Sequence, residues 1–253
     1  MRMRTLLPWS VAAVVALVGC SQGDATDVPT SEIAPRIRVV SHATQTEVTV
    51  ILYRGTAGLH RLQLTAGDAL RVLPPTGPAV TMAVQGADTL QVRYVATLPP
   101  VEPGDELVVA LLRATLADAP NTIVTVPDAP VVNGPEAGAT FEPDAEFEVA
   151  WVPFADDTVE VRFAQTACED LSPDEAAAVE AFVGLPGTLH DGTAGSASVT
   201  FFPGGSALAC EADLLVGRVR GDVDLDPALA GLRSDTRIVR EAPARRLVFA
   251  PGD

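Results

Sequence analysis

Three cysteines, Cys20, Cys168 and Cys210, have the most distinctive chemistry in this 253-residue chain. A thiol can form a disulfide, ligate a metal or carry a covalent modification. Neither Cys168 nor Cys210 has a second cysteine or a histidine at the spacing of a zinc site. We therefore expect no metal centre at these residues and no cofactor. Cys20 is considered apart from the other two because it ends the apolar N-terminal segment.

The segment before Cys20 has the pattern of an export signal. Arg2 and Arg4 form a short basic region, and an apolar run follows from Leu6 to Gly19. This run is too short to cross a membrane, which takes about 20 apolar residues. It has the length of the hydrophobic region of a signal peptide. It ends in the tetrapeptide Leu17-Val18-Gly19-Cys20.

This tetrapeptide resembles the bacterial lipobox, in which an aliphatic residue, a small or aliphatic residue and Gly or Ala precede a cysteine. The resemblance implies that residues 1–19 are a lipoprotein signal peptide and that Cys20 becomes an acylated N-terminus carrying chains such as palmitate. Each buried methylene contributes about 0.8 kcal/mol to membrane binding. In enterobacteria, Asp directly after the acylated cysteine favours retention at the inner membrane. Ser21 stands at that position here, so we expect the protein at the outer membrane. The alternatives are an ordinary signal peptide with a chance cysteine and an uncleaved anchor.

The two remaining cysteines, Cys168 and Cys210, are predicted to form a disulfide. An exported chain meets an oxidising compartment, and an even number of cysteines remains once Cys20 is set aside. The bond would close a loop of about 40 residues, for a stabilisation of about 3–4 kcal/mol. The alternative is two separate buried thiols.

Composition and charge exclude some classes of protein. The chain has 33 acidic and 17 basic residues, all of the latter arginine, and a formal net charge of -16. Such a charge repels the phosphate backbone, so we expect no nucleic-acid partner. Its 47% hydrophobic content is too high for an intrinsically disordered chain.

Arginines are concentrated near the C-terminus. They form either a patch for an anionic partner or cross-strand pairs with the plentiful acids, and we expect the pairs. The residues concerned are Arg218, Arg220, Arg233, Arg237, Arg240, Arg245 and Arg246.

An acidic run raises the alternative of a calcium site, because Ca²⁺ takes several carboxylate ligands. The EF-hand pattern requires Gly at its sixth position and Glu at its twelfth, and Pro227 and Arg233 stand there. A calcium site in a sandwich loop stays open as an alternative. Its candidate ligands are Asp222, Asp224 and Asp226, with Asp156 and Asp157 as further acids.

The sequence lacks the motifs of common enzymes. There is no Gly-x-Ser-x-Gly motif of a serine hydrolase. His42, His60 and His190 have no second histidine or cysteine nearby at the spacing of a zinc site. We therefore predict no catalytic residues and no enzymatic activity. Two alternatives remain open: a carbohydrate-binding module, although aromatic residues make up only 5%, and a hydrolase with dispersed carboxylates.

Short β-type segments separated by Pro and Gly recur from residue 36 onward and predict an all-β fold. Residues 20–34 are small and polar and predict a flexible tether. We expect one β-sandwich over residues 35–127, a linker near Pro127–Pro130, and a second sandwich over residues 128–253. A short helical insertion in the second begins at the capping box of Ser172 and Glu175, with Pro173 at its first position.

The segments Phe141-Glu142-Pro143 and Phe147–Trp151 are similar to the opening strands of Ig-like modules, and the body resembles uncharacterised Ig-like envelope lipoproteins of high-GC bacteria. The resemblance implies two tandem Ig-like β-sandwich domains and supplies no activity. The usual Ig order of Cys, Trp and Cys is missing, because Trp151 precedes both Cys168 and Cys210. We expect a membrane-anchored, non-catalytic binding or structural module of the bacterial cell envelope, with an unknown protein or glycan partner.

The lipobox prediction can be tested by replacing the acylated residue. Cys20→Ser removes the thiol that would carry the lipid, so an unprocessed precursor without an acyl label should accumulate. Metabolic labelling with a radioactive fatty acid and the mass of the N-terminal peptide measure this. Normal labelling of the variant would contradict the prediction.

Overall fold

The computed structural model of this chain describes residues 22–57, 60–65, 67–87, 91–169, 171–183, 187–201, 209–233 and 235–250. The predicted signal peptide, the lipobox and Cys20 lie outside these ranges. Over them the chain is all-β, with a single short α-helix. No helix in the described ranges is long and apolar enough to cross a membrane.

The first part of the chain forms strands of two to nine residues. Buried and more exposed residues alternate in strands such as Ala69–Leu73, whereas Ile33–Ser41 is buried along most of its length. A 3₁₀ turn at Thr30–Glu32 precedes the long second strand. The strands are β1 (Gln22–Asp24), β2 (Ile33–Ser41), β3 (Thr46–Arg54), β4 (Arg61–Gln63), β5 (Ala69–Leu73), β6 (Val80–Thr81), β7 (Ala83–Gln85), β8 (Arg93–Leu98), β9 (Glu106–Leu112) and β10 (Ala119–Thr125).

The second part adds the remaining strands, the helix α1 (Pro173–Val183) and a 3₁₀ turn at Gly192–Ala194. Each strand that the sequence predicts overlaps an observed one, whereas three short strands, the first, eleventh and fifteenth, were not predicted. The strands are β11 (Val132–Gly134), β12 (Thr140–Phe141), β13 (Glu146–Trp151), β14 (Thr158–Cys168), β15 (Thr188–Asp191), β16 (Ser196–Thr200), β17 (Cys210–Arg220), β18 (Arg237–Glu241) and β19 (Arg245–Phe249).

The helix begins as the capping box predicts. Ser172 N donates to Glu175 Oε2 at 2.9 Å, and Glu175 N lies 3.4 Å from Ser172 Oγ. Hydrogen bonds from the Ser172 hydroxyl and backbone hold the pKa of Glu175 below its usual value. The carboxylate also lies at the positive end of the helix dipole, so local sequence alone determines where this helix starts.

Two sheets enclose each of two cores. In the first sandwich, residues of β2 and β3 such as Ile37 and Val50 pack against residues of the sheet β10-β9-β5-β6 such as Val72 and Leu107. In the second, Trp151 and its neighbours in the sheet β11-β13-β16 face β14, β17 and β19. Period-two alternation builds both cores, because every second side chain of each strand faces the opposite sheet.

The two sandwiches share one sheet, with strand order β1-β4-β3-β2-β18-β17-β14-β15 along its main path. Strand β18 pairs parallel with β2 through Arg237↔Arg38 to Arg240↔Ser41, and antiparallel with β17. Ile238 is fully buried in the core of the first sandwich. The domain boundary at residues 127 and 128 stays a prediction; residues 222–241 pair and pack with strands that precede it.

Residues 22–34 are ordered against the first sandwich, unlike the flexible tether that the sequence predicts there. Strand β1 pairs parallel with β4, and Ala25, Val28 and Ile33 are buried in the first core. The segment contains only scattered apolar residues, so its sequence shows no period. It is ordered because those few side chains fit between strands that are distant in the sequence.

The close approach of β17 to its neighbours predicts the effect of one substitution. A Cβ on Gly217 would lie 2.6 Å from Val239 Cγ1 on β18. Gly217→Ala should therefore lower the free energy of unfolding by about 1–3 kcal/mol. Gly221→Ala is the matched control, since its Cβ would meet nothing closer than Thr236 O at 4.0 Å. Urea unfolding measures the stability of both variants. Equal stabilities of Gly217→Ala and Gly221→Ala would contradict the close approach of Val239 to Gly217.

Candidate functional site

A cleft of about 450 Å³ lies where the two sandwiches meet, and we call it the junction cleft. The first sandwich contributes the turn His42–Gln45, which joins β2 to β3 and is closed by a hydrogen bond from His42 N to Gln45 O. The second contributes Ala164, Asp213, Leu215 and the segment Glu241–Ala244. Its walls are formed by residues far apart in sequence, brought together by the pairing of β18 with β2.

Glu241, the last residue of β18, lies at the bottom of the junction cleft and is 5% exposed. Arg162 donates to its Oε1 from Nη2 at 2.7 Å and from Nε at 3.2 Å. His42 Nδ1 lies 2.9 Å from its Oε2. One buried carboxylate thus holds a cation of the second sandwich and the imidazole of the first.

The environment of Glu241 favours its ionised form. Burial raises the pKa of this carboxyl, but the contacts with His42 and Arg162 outweigh burial, and its pKa lies below the ordinary value. Glu241 is therefore a carboxylate at neutral pH, and its position fixes the imidazole of His42 at the rim of the cleft.

A second acid of the cleft, Asp213, also has its own cation. Arg246 donates from Nε to Asp213 Oδ1 at 2.5 Å and from Nη2 to Oδ2 at 3.2 Å, and it also contacts Glu211. These hydrogen bonds raise the pKa of Arg246 above its usual value. Thr44 is the single hydroxyl-bearing residue among the described lining residues. The cleft can accept a small polar group.

A second ion pair crosses the shared sheet beside the cleft. Glu160 of β14 is 2% exposed, accepts a hydrogen bond from Gly187 N at 3.1 Å and lies 3.6 Å from Arg38 Nη2 of β2. In the register of the sheet, Gly217 stands between Glu160 and Glu241. Because Gly217 has no side chain, β17 leaves room for the ion pairs that span it.

The C-terminal arginines pair with acids in part, as predicted. Asp157, 8% exposed, accepts hydrogen bonds from Arg218 Nε at 2.5 Å and Arg220 Nε at 3.2 Å. The Arg218 guanidinium also lies over the ring of Phe154, 4.4 Å from its centroid. Arg240 and Arg245 differ from the prediction: their described contacts are with the Ser41 hydroxyl and backbone carbonyls. The carbonyls are uncharged, so sequence charge patterns give no signal for such contacts.

The structure does not support calcium binding by the acidic run. Asp226 faces inward, 4% exposed, and accepts hydrogen bonds from Asn121 N at 2.8 Å and Ala228 N at 2.9 Å. Asp224 pairs through its backbone with Ile123, and Asp222 is exposed. No three His, Cys, Asp or Glu side chains are grouped for a metal ion in the described ranges. The run instead fastens the chain after β17 to β10.

The predicted disulfide is confirmed. Cys168 ends β14 and Cys210 begins β17; the two are register partners, with Cα atoms 4.0 Å apart and sulfurs 2.07 Å apart. The bond therefore links neighbouring strands of one sheet. In the usual Ig arrangement the disulfide joins the two sheets across the core.

A smaller cavity of about 240 Å³ opens inside the second sandwich, beside α1. Phe163, Phe182 and His190 line it, with Ser198 and Thr200 of β16. His190 Nε2 is buried without a hydrogen-bond partner, and burial lowers the pKa of this imidazole. The neutral ring is accordingly the favoured form at pH 7, and this partly buried ring lies beside Trp151, with the two ring centroids 6.3 Å apart.

Comparison with known proteins adds little to this geometry. No family model matches the chain, and no curated protein matches it. Three solved structures align over most of it: chicken CNTN1 domains FN1–FN3 (12% identity, 86% of this chain and 67% of that chain, TM-score 0.24), a two-domain fibronectin type III segment of chicken tenascin (14%, 85% and 98%, 0.24), and a marsupial T cell receptor (10%, 87% and 74%, 0.28). These TM-scores are low, so the architecture rests on the strand pairing of this chain itself.

The contacts of Glu241 predict a pH-dependent stability. Glu241→Gln removes the charge that Arg162 and His42 contact, so the free energy of unfolding should fall by about 1.5–3 kcal/mol at pH 7. Folding lowers the pKa of Glu241, so its contribution is complete above the unfolded-state value of about 4.3 and is lost as the pH falls through the folded-state value.

Urea unfolding of both proteins between about pH 7 and pH 3 measures this effect. The stability difference between wild type and Glu241→Gln should shrink toward the acid end. Glu148→Gln, on the exposed face of β13, is the control and should track wild type throughout. A difference that stays constant down to pH 3 would contradict the assignment.

Proposed function

We propose that this chain is a lipid-anchored, non-catalytic binding or structural module of the bacterial cell envelope, held at the outer membrane through Cys20. The proposal joins the lipobox resemblance to the Ig-like β body, a fold whose surfaces usually serve recognition or support. The observation that carries it is the disulfide between Cys168 and Cys210. Disulfides persist in oxidising compartments such as the periplasm and the cell surface, and are rare in the bacterial cytosol.

The partnering of buried acids supports a non-catalytic role. A general acid or base needs a carboxyl with a shifted pKa that faces a substrate. Glu241, Asp157 and Asp226 instead have arginine, histidine or backbone N–H partners within the fold. These groups hold strands together, and their charges are already compensated.

The exposed apolar surface favours a protein partner over a glycan. Sugar-binding sandwiches present aromatic rings to solvent. In the described parts of the chain, the exposed large hydrophobic residues are all aliphatic. Val131 and Val152, 62% and 46% exposed, are neighbours at the end of the β11–β13 pair, joined by a hydrogen bond from Val152 N to Val131 O. An exposed apolar pair of this kind suits an apolar contact with another protein.

The compartment is tested by trapping thiols in the cells that make the protein. After rapid acid quenching and alkylation, Cys168 and Cys210 should be unmodified until a reductant is added. In Cys168→Ser the remaining thiol should react at once, which is the matched control. Alkylation of both cysteines without reductant would mean a reducing compartment and would contradict the proposal.

The role is tested by mild capture from solubilised envelopes, followed by a hydrolase screen of residues 21–253. We expect a partner that co-purifies with wild type and is lost from a variant carrying Val131→Asp and Val152→Asp, with no turnover in the screen. Turnover above that of a blank preparation would contradict a non-catalytic module.

A further inference from the structure

The lipid anchor would sit very close to the folded body. Strand β1 begins at Gln22, two positions after Cys20. An extended chain spans at most about 3.6 Å per residue, so the Cα atom of Cys20 lies within about 7 Å of that of Gln22. A lipoprotein with a long polar tether could stand away from the bilayer; this spacing leaves no such freedom.

The segment that follows β1 is firmly held. Arg113, whose side chain is 1% exposed, donates to Ala25 O at 2.7 Å and Val28 O at 3.2 Å, and its Nε donates to Asp68 Oδ2 at 2.9 Å. A buried, charge-assisted contact of this kind is costly to break. Residues 22–34 therefore cannot easily detach to lengthen the link to the lipid.

The register of the shared sheet fixes which end of the molecule this is. Gln22 pairs with Arg61, Tyr53 with Arg61, and Ile33 with Arg54. These residues lie together at one end of the sheet, and we call it the anchor end. From there β2 runs away toward Ser41.

The second sandwich continues in the same direction. Ser41 pairs with Arg240, which pairs in turn with Arg218 on β17, and β17 extends onward to Cys210. The path from Ile33 to Cys210 covers about 16 residue steps of about 3.3 Å, or about 50 Å along the sheet before twist is counted. The disulfide thus marks the end opposite the anchor end.

Charge at the anchor end suits a lipid surface. The whole chain has a formal net charge of -16, which anionic headgroups repel. At the anchor end, however, Arg54 and Arg61 lie beside the start of β1, and Arg233 donates to Thr56 O in the adjoining loop. Glu32 pairs with Arg54, and Asp235 lies 3.0 Å from Arg36 and 4.0 Å from Arg233. The exposed Asp24 and Asp27, just after Gln22, are the other acids nearby. This end is locally balanced in an otherwise acidic protein.

We propose that the anchor end is a membrane-contacting surface for lipid headgroups, and that the body stands upright on the bilayer with the disulfide end of the second sandwich presented about 50 Å away. This inference rests on the proposed function, since it requires the lipid on Cys20. It assigns the first sandwich to the membrane and the second to the partner.

The test uses the mature lipoprotein in vesicles of phosphatidylethanolamine and phosphatidylglycerol that contain a headgroup-labelled acceptor dye. A donor dye is placed through an unnatural amino acid at Ala57, exposed in the loop of the anchor end, or at Glu169, exposed beside the disulfide. Because about 50 Å separate the two ends, the acceptor should quench the Ala57 donor at least about threefold more than the Glu169 donor.

A flexible Gly-Ser linker inserted after Ser21 is the matched control, and it should weaken quenching at Ala57. Equal quenching at both sites, with the acyl chains confirmed by mass spectrometry, would overturn the upright orientation and leave the anchoring intact. Unchanged quenching at Ala57 after insertion of the linker would show that the headgroup contact itself keeps the anchor end at the bilayer, which supports the proposed surface. A mature protein without acyl chains on Cys20 would overturn both the orientation and the proposed function.

Discussion

The parallel pairing of β18 with β2 is the contact on which the rest of the structure depends. It joins the sheets of two sandwiches into one and places Ile238, from late in the chain, in the first core. Parallel pairing requires a long crossover connection, and here strands β3 to β17, from both sandwiches, lie between the two strands in the chain. The two β-sandwiches are thereby fixed relative to one another, and the junction cleft forms where they meet.

This shared sheet also explains the distribution of charge. Ion pairs that cross β17, such as Arg162 with Glu241 and Arg38 with Glu160, join a buried carboxylate to a partly exposed arginine where Gly217 leaves room above its strand. Such a pair adds little net stability, since desolvation of the carboxylate offsets most of the attraction. Its role is to fix the register, because a shifted β18 would leave a carboxylate buried without its arginine. The two buried acids Glu160 and Glu241 thus serve the alignment of strands.

Local sequence predicted much of this fold, and non-local contacts account for what it missed. Alternation identified the strands from β2 onward except the short β11 and β15, and the capping box at Ser172 located the helix. The disulfide followed from the compartment and the number of cysteines. The pairing of β18 with β2 spans about two hundred residues and leaves no periodic signal, so Glu241, Arg162 and His42 could not be grouped from the sequence. Ordering of residues 22–34 was missed for the same reason, since Arg113 and β4, which hold it, lie far along the chain.

Native-state hydrogen exchange tests the shared sheet most directly. Amides of β18 and β2 that donate across their common ladder should open with the same free energy, close to that of global unfolding, because neither strand can leave without exposing the first core. Destabilisation of the first sandwich by Ile37→Ala should then speed exchange in β18 as much as in β2. Exchange of β18 that is much faster than that of β2, or that does not respond to Ile37→Ala, would mean that the two sandwiches are separate units and would contradict this account.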